Sequence, residues 1–165
     1  MFEKSLYDLI RGLRNHRGKE REYIQASIRE CRNEIRSQDM DLKATAVLKL
    51  TYLEMFGHDM SWASFNILEV MSSPKYIQKR VGYLGAMQSY RPDTEVLMLA
   101  ENLLKKDLAS TQLITISLPL QAIPHVVNPS MANSLLSDLL SRLTHSSPNI
   151  RKKTIVTLYL SLIHI

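Results

Sequence analysis

The sequence predicts an all-α chain folded as a right-handed solenoid of stacked helical hairpins, about nine helices in all. Four similar stretches begin at Leu42, Ile77, Leu113 and Ile150, at intervals of 35, 36 and 37 residues. That spacing falls in the range of helix-hairpin repeats, in which each unit buries its apolar side only against its neighbours. Leu, Ile, Met and Ala dominate the apolar share of 45%, aromatics are 7%, and there are only 5 Gly and 6 Pro. Such a composition suits helix-on-helix packing and argues against a turn-rich sandwich or barrel. At 165 residues the length allows one domain.

The elements follow in order. Leu6, Leu9, Ile10 and Leu13 fall at i, i+3, i+4 and i+7, a first amphipathic helix with Ser5 as its N-cap. Gly12 lies near its end and Gly18 in the following loop. Ile24, Ile28, Cys31 and Ile35 mark a second helix. Asp39 or Asp41 caps a third, running to about Met55; its apolar positions go nearly all the way round, as in a helix packed on more than one side. Gly57 breaks it. Ser61 caps a fourth, with bulk from Trp62, Phe65, Leu68, Val70 and Met71. Ser73-Pro74 opens a fifth with proline at N1, through Ile77, Val81, Leu84 and Met87, ended by Arg91-Pro92. Asp93 caps a sixth. For the seventh, residues 113–118 alternate as a strand would, and only the repeat period favours a helix, interrupted by Pro119 and Pro124. Ser130 caps an eighth helix and Ser147-Pro148 opens a ninth.

No charged residue falls between Asp107 and Asp138, but three prolines, His125 and several Ser, Gln and Asn interrupt the stretch. It reads as two buried helices joined by a proline-rich turn, not as a membrane span. The N-terminus, with Glu3, Lys4 and Asp8, does not read as a signal peptide. One cysteine cannot form an intrachain disulfide, and Asn128-Pro129-Ser130 is a glycosylation motif blocked by proline. The default compartment is cytoplasmic.

No phosphate loop, dinucleotide glycine pattern, nucleophile elbow or HExxH is present. The five histidines fall in different predicted elements, so neither a metal nor a cofactor is expected. His58-Asp59, the one tight His/Asp pair, sits in a turn where Asp bonds backbone. Cys31 lies on a buried stripe and reads as an inert core thiol. The chain is therefore read as a non-enzyme. The functional candidates are basic: Arg11, Arg14, Arg17, Lys19 and Arg21 fall within eleven residues, opposed only by Glu20. They read either as a solvated helix end or as a contact for lipid phosphates or an acidic partner, in keeping with a net charge of +5. Lys43, Lys79 with Arg80, and Arg151 to Lys153 recur just after the opening aliphatic of three repeats, and the Arg151–Lys153 triplet reads as an exposed repeat position. No exposed aromatics interleave these groups, which argues against nucleic acid. The Ser-Pro pairs are explained by capping without phosphorylation.

Three segments carry a resemblance. KLTYLEMFGHDMSWASFNILEVMSS (49–73), KRVGYLGAMQSY (79–90) and KKDL (105–108) resemble the trunk of the adaptins, the large subunits of clathrin-type adaptor complexes. The opening FEKSLYDLIRGLRNH, with SWASFNILEVMSS, resembles the delta type of the third such complex. The resemblance loosens at 111–130. It implies a HEAT/armadillo-like α-solenoid and a structural role in vesicle-mediated transport from Golgi or endosome to lysosome or vacuole. It further implies beta-type, medium and small subunits and an Arf-type GTPase as partners, with peripheral contact with Golgi or endosomal membranes. The alpha relatives bear a run of lysines for phosphoinositide at the start of the third helix. Here that stretch is Asp41-Leu42-Lys43-Ala44-Thr45, which departs from the pattern. The other reading is a helical-repeat scaffold or transport receptor unrelated to coats. Residues 1–159 read as the N-terminal part of the trunk. Residues 160–165, apolar and without a stop signal, read as a truncation or a foreign tail.

Overall fold

The computed structural model describes residues 5–164, and among them every regular element is helical. The elements are α1 (Leu6–Asn15), α2 (Glu20–Glu34), α3 (Met40–Met55), a 3₁₀ turn (Ser61–Ala63), α4 (Ser64–Met71), α5 (Tyr76–Ser89), α6 (Leu97–Leu108), α7 (Leu113–Val126), α8 (Pro129–Arg142) and α9 (Pro148–His164). The chain forms two compact units, one up to Ser89 and one from Tyr90.

In the first unit α3 is the inner helix. It packs on α2, α4 and α5 and touches α1, which explains its all-round apolar pattern. Val47, Leu50 and Leu53 are sealed in its core. The buried side of α5 is not the aliphatic one. Gln78, Lys79, Gly82, Tyr83, Gly85, Ala86 and Ser89 face inward, while Ile77 is 77% exposed and Leu84 is also outside. Small residues there let α5 approach closely: a Cβ on Gly82 would lie 2.2 Å from the Met71 backbone nitrogen of α4. The polar members are satisfied across the stack. Gln78 bonds Asp41 and accepts from the Ser73 hydroxyl at 2.5 Å, and the Ser89 hydroxyl donates to Glu54 at 2.5 Å.

In the second unit α6 pairs with α7 and α8 with α9, while α7 stacks on α9 and α6 on α8. The repeat starts therefore mark α3, α5, α7 and α9, and in each unit two of these four stack directly. Residues 113–118 are helical. Helix α7 runs unbroken through Pro119 and Pro124, with Ile116, Leu118, Leu120 and Ile123 buried. A polar clasp joins α6 to α8: Lys105 donates to the Ser134 hydroxyl at 2.5 Å and pairs with Glu101 at 3.2 Å, and Ser134 bonds Glu101 in turn.

Ser5 caps α1, in a capping box with Asp8, and Asp39 caps α3 through the Asp41 N–H. Several other starts differ from expectation. Ser61 is a donor, not a cap: its N–H and hydroxyl both go to the Asp59 carboxylate at 3.0 Å. Asp93 lies in a turn closed by Thr94, whose hydroxyl accepts the Arg91 N–H, and α6 starts only at Leu97. Asn128, not Ser130, caps α8, accepting the Met131 N–H at 2.9 Å with Pro129 at N1. Pro74 stands two residues before α5 instead of at N1; Ser73 accepts the Lys75 N–H at 3.2 Å. Phe65, expected in the core, is 59% exposed. Of the anticipated tail at 160–165, α9 continues through His164 and Ile165 lies outside the described residues.

Candidate interaction surface

The basic group Arg11, Arg14, Arg17, Lys19 and Arg21 occupies the elbow between α1 and α2. The elbow is held by local contacts. Tyr23 of α2 lies against Gly12 so closely that a Cβ there would fall 1.9 Å from its hydroxyl oxygen. His16 stacks on the Tyr23 ring at 4.5 Å, and its Nδ1 is 2.7 Å from the Gly12 carbonyl oxygen. Gly18 takes φ +84°, a left-handed conformation that suits glycine at the reversal. Its N–H bonds the Glu20 carboxylate, which holds that carboxyl below its ordinary range. All five basic side chains are exposed, and none forms an ion pair with a carboxylate among the described residues. The arrangement is a solvated cationic elbow on a firm backbone, able to meet an extended anionic surface. It has no enclosed volume and no convergent acid–base pair.

The basic residues at the repeat starts divide in two. Lys43 and Lys79 are buried. Lys43 is ion-paired with Glu69 and Lys79 lies 6.0 Å from the Tyr83 ring centroid. Asp41, beside Lys43, bonds Gln78 and, at 3.1 Å, Lys75; these contacts hold its carboxyl below its ordinary range. The start of α3 thus presents no free lysine to a phosphate. In α9 the Arg151 guanidinium donates to the carbonyl oxygens of His145 (2.8 Å) and Ser146 (2.9 Å), while Lys152 and Lys153 line a cavity.

The other candidates have structural roles. Asp59 is occupied with Ser61. Cys31 is 1% exposed, and burial pushes its thiol up to about 12. Among the described residues no cluster of His, Cys, Asp and Glu is arranged to hold a metal, and no helix is long and apolar enough to cross a membrane. Sequence reasoning missed the buried pair Lys49–Glu34, at 2.6 Å between α3 and α2.

The adaptin N terminal region family matches residues 20–163. The chain belongs to that family. The fission yeast Schizosaccharomyces pombe AP-3 complex subunit delta is 52% identical over 96% of this chain, and the Bos taurus AP-3 complex subunit delta-1 is 43% identical over the same share. An Arabidopsis thaliana AP-1 complex subunit gamma-2 is more distant, at 33% over 90%. The chain spans only about a fifth of the length of the fission yeast relative, at 19%, and 13% of the bovine one. A homology model of the full-length AP-3 complex in an intermediate open conformation aligns with a TM-score of 0.66 at 49% identity, over 74% of this chain and 22% of that one. Within the adaptins, then, the chain is similar to the delta subunits, and its fold is that of an adaptin helical solenoid.

Proposed function

We propose that this chain is the N-terminal trunk segment of a delta-type large subunit of an adaptor complex. In this reading it serves vesicle-mediated protein transport from Golgi or endosome to lysosome or vacuole. It works by surface docking: a beta-type large subunit, a medium and a small subunit and an Arf-type GTPase are its partners, and it sits in the cytoplasm, peripherally on Golgi or endosomal membranes. The observation that carries this is the 52% identity to an AP-3 delta subunit, sustained over 96% of the chain. A generic repeat scaffold has no physical reason to keep that sequence, because stacked hairpins need only their apolar pattern. The exposed elbow of Arg11, Arg14, Arg17, Lys19 and Arg21 supplies a contact for an anionic surface.

Sedimentation with acidic vesicles, with and without GTP-loaded Arf, tests the reading. GTP-dependent recovery of the chain with the vesicles is expected. Recovery indifferent to the nucleotide would remove the Arf-type GTPase from the proposed partners and leave only direct contact with lipid.

A further inference from the structure

A cavity of about 360 Å³ opens in the second unit between the first turns of α7 and α9. Its walls are Leu113, Ile114 and Ser117 from α7, Ser147 from the loop before α9, and Asn149, Ile150, Lys152 and Lys153 from α9. Three facts set it apart from an ordinary surface dimple. First, it holds two lysines and no acid, and neither α7 nor α9 contains an Asp or Glu anywhere. Second, those lysines stand in the first turns of a helix, together with Arg151, where positive charge opposes the helix dipole and no acidic residue offsets it. Arg151 is relieved by two carbonyl oxygens; Lys152 and Lys153 have no such partner among the described residues. Third, the rim is aliphatic and outward-facing. Leu113 and Ile114, which line it, are about half exposed.

We infer that this cavity receives the phosphate monoester headgroup of an anionic membrane lipid. Lys152 and Lys153 meet the phosphate, Ser147 and Asn149 supply further polar contacts, and the aliphatic rim rests on the lipid boundary. The volume decides against a bare ion: 360 Å³ is of the size that holds a small organic ligand. The rim decides against a freely soluble anion, since lysines beside the half-exposed Leu113 and Ile114 suit a surface that meets a lipid boundary. The site rests on the membrane reading of the chain above, but it is separate from the α1–α2 elbow.

The test is co-sedimentation of the 165-residue chain with three vesicles: phosphatidylcholine alone, phosphatidylcholine with phosphatidic acid, and phosphatidylcholine with phosphatidylserine at matched charge. Preference for phosphatidic acid over phosphatidylserine is expected, with a loss of about tenfold or more in the K152Q/K153Q variant. Both lysines lie on the surface side of α9, and an unchanged circular dichroism melt confirms that the variant folds. A second variant, L113S/I114S, is expected to lose vesicle binding while keeping the chemical-shift response of Ser117 and Lys153 amides to inorganic phosphate. Full retention of phosphatidic acid binding by K152Q/K153Q, alongside its loss in a variant neutralised at Arg11, Arg14, Arg17, Lys19 and Arg21, would refute the cavity and leave the membrane reading standing. Tight binding of inorganic phosphate with no binding to any vesicle would overturn the lipid assignment. No response to vesicles or phosphate would overturn both.

Discussion

The Thr157 hydroxyl of α9 donates to the Leu120 carbonyl oxygen of α7 at 2.6 Å, and that carbonyl is the one Pro124 leaves without a helical N–H. A proline at position i removes the donor for the carbonyl at i−4 and normally breaks or kinks the helix. Here the donor comes from the helix stacked alongside. Thr157 is 2% exposed, so water cannot take the place of its hydroxyl. The same oxygen lies 2.9 Å from the Lys153 carbonyl of its own helix, but its single proton is shared, and the contact to Leu120 is the shorter.

Thr157→Val removes the hydroxyl at nearly constant volume. It is expected to cost about 1–3 kcal/mol, because a buried acceptor is left unsatisfied. In a Pro124→Ala background the backbone N–H returns and the same change is expected to cost much less. A double-mutant cycle by urea denaturation measures the difference. Equal costs in the two backgrounds would mean that Thr157 acts through packing and not through the orphaned carbonyl.

Gly82 and Gly85 lie on the same buried face of α5 but face different neighbours. A Cβ on Gly82 meets main chain, with Met71 nitrogen at 2.2 Å and its Cα at 2.6 Å; a Cβ on Gly85 meets the Val47 Cγ1 at 3.1 Å and other side-chain atoms. Side chains can turn where backbone cannot. Gly82→Ala is expected to lower the melting temperature by well over the shift in Gly85→Ala, with a cost of about 1–3 kcal/mol or more from overpacking. Comparable melts for the two variants would contradict the close approach of α4 to α5.

Lys49 is 2% exposed and its Nζ lies 2.6 Å from Glu34 Oε2. The carboxylate oxygen is held by charge alone, without a well-directed hydrogen bond. Lys49→Met strands that carboxylate in a poorly hydrated place, and a loss of about 3–5 kcal/mol is expected in chemical denaturation. Adding Glu34→Gln should recover a large part of it. No recovery would show that the lysine stem, and not its charge, is what the core needs.

Cys31 is protected twice, by burial and by a thiol raised to about 12. At pH 8 its thiolate fraction is far below that of a free cysteine. A thiol reagent is expected to label the native chain orders of magnitude more slowly than the urea-unfolded chain, with the native rate following opening of the fold. Rapid labelling under native conditions would place Cys31 at the surface.

The parts of the fold governed by local pattern were legible. The 35-to-37-residue interval found the four helices α3, α5, α7 and α9, and Gly57, with φ +89°, ends α3 where a glycine was expected to. Which residue of each repeat faces inward was not legible, because the opening aliphatic is not at a fixed angle. Ile150 is sealed while Ile77 and Leu113 are exposed, and α5 buries Gln78 and Lys79 in their stead. Their burial depends on partners such as Ser73, Asp41 and Tyr83 that lie on other turns or other helices. The caps at Ser61, Asp93 and Ser130 were misread for a related reason. Each stands beside a stronger competitor (Asp59, Thr94 or Asn128), and short polar side chains choose among neighbouring backbone donors by geometry that spacing does not encode. Continuity of α7 through two prolines was equally hidden, because the donor for Leu120 sits 37 residues later. The basic elbow could be listed from sequence, whereas the contact of Tyr23 with Gly12 that fixes its shape could not.

The most direct measurement of the central claim is a segment exchange. The matching N-terminal stretch of the fission yeast AP-3 complex subunit delta is replaced by residues 1–159 of this chain, and the chimera is isolated from cells lacking the native subunit. The account predicts that the chimera co-purifies with the beta-type, medium and small subunits and restores cargo delivery to the vacuole. A chimera that is folded and abundant yet enters no complex would contradict it.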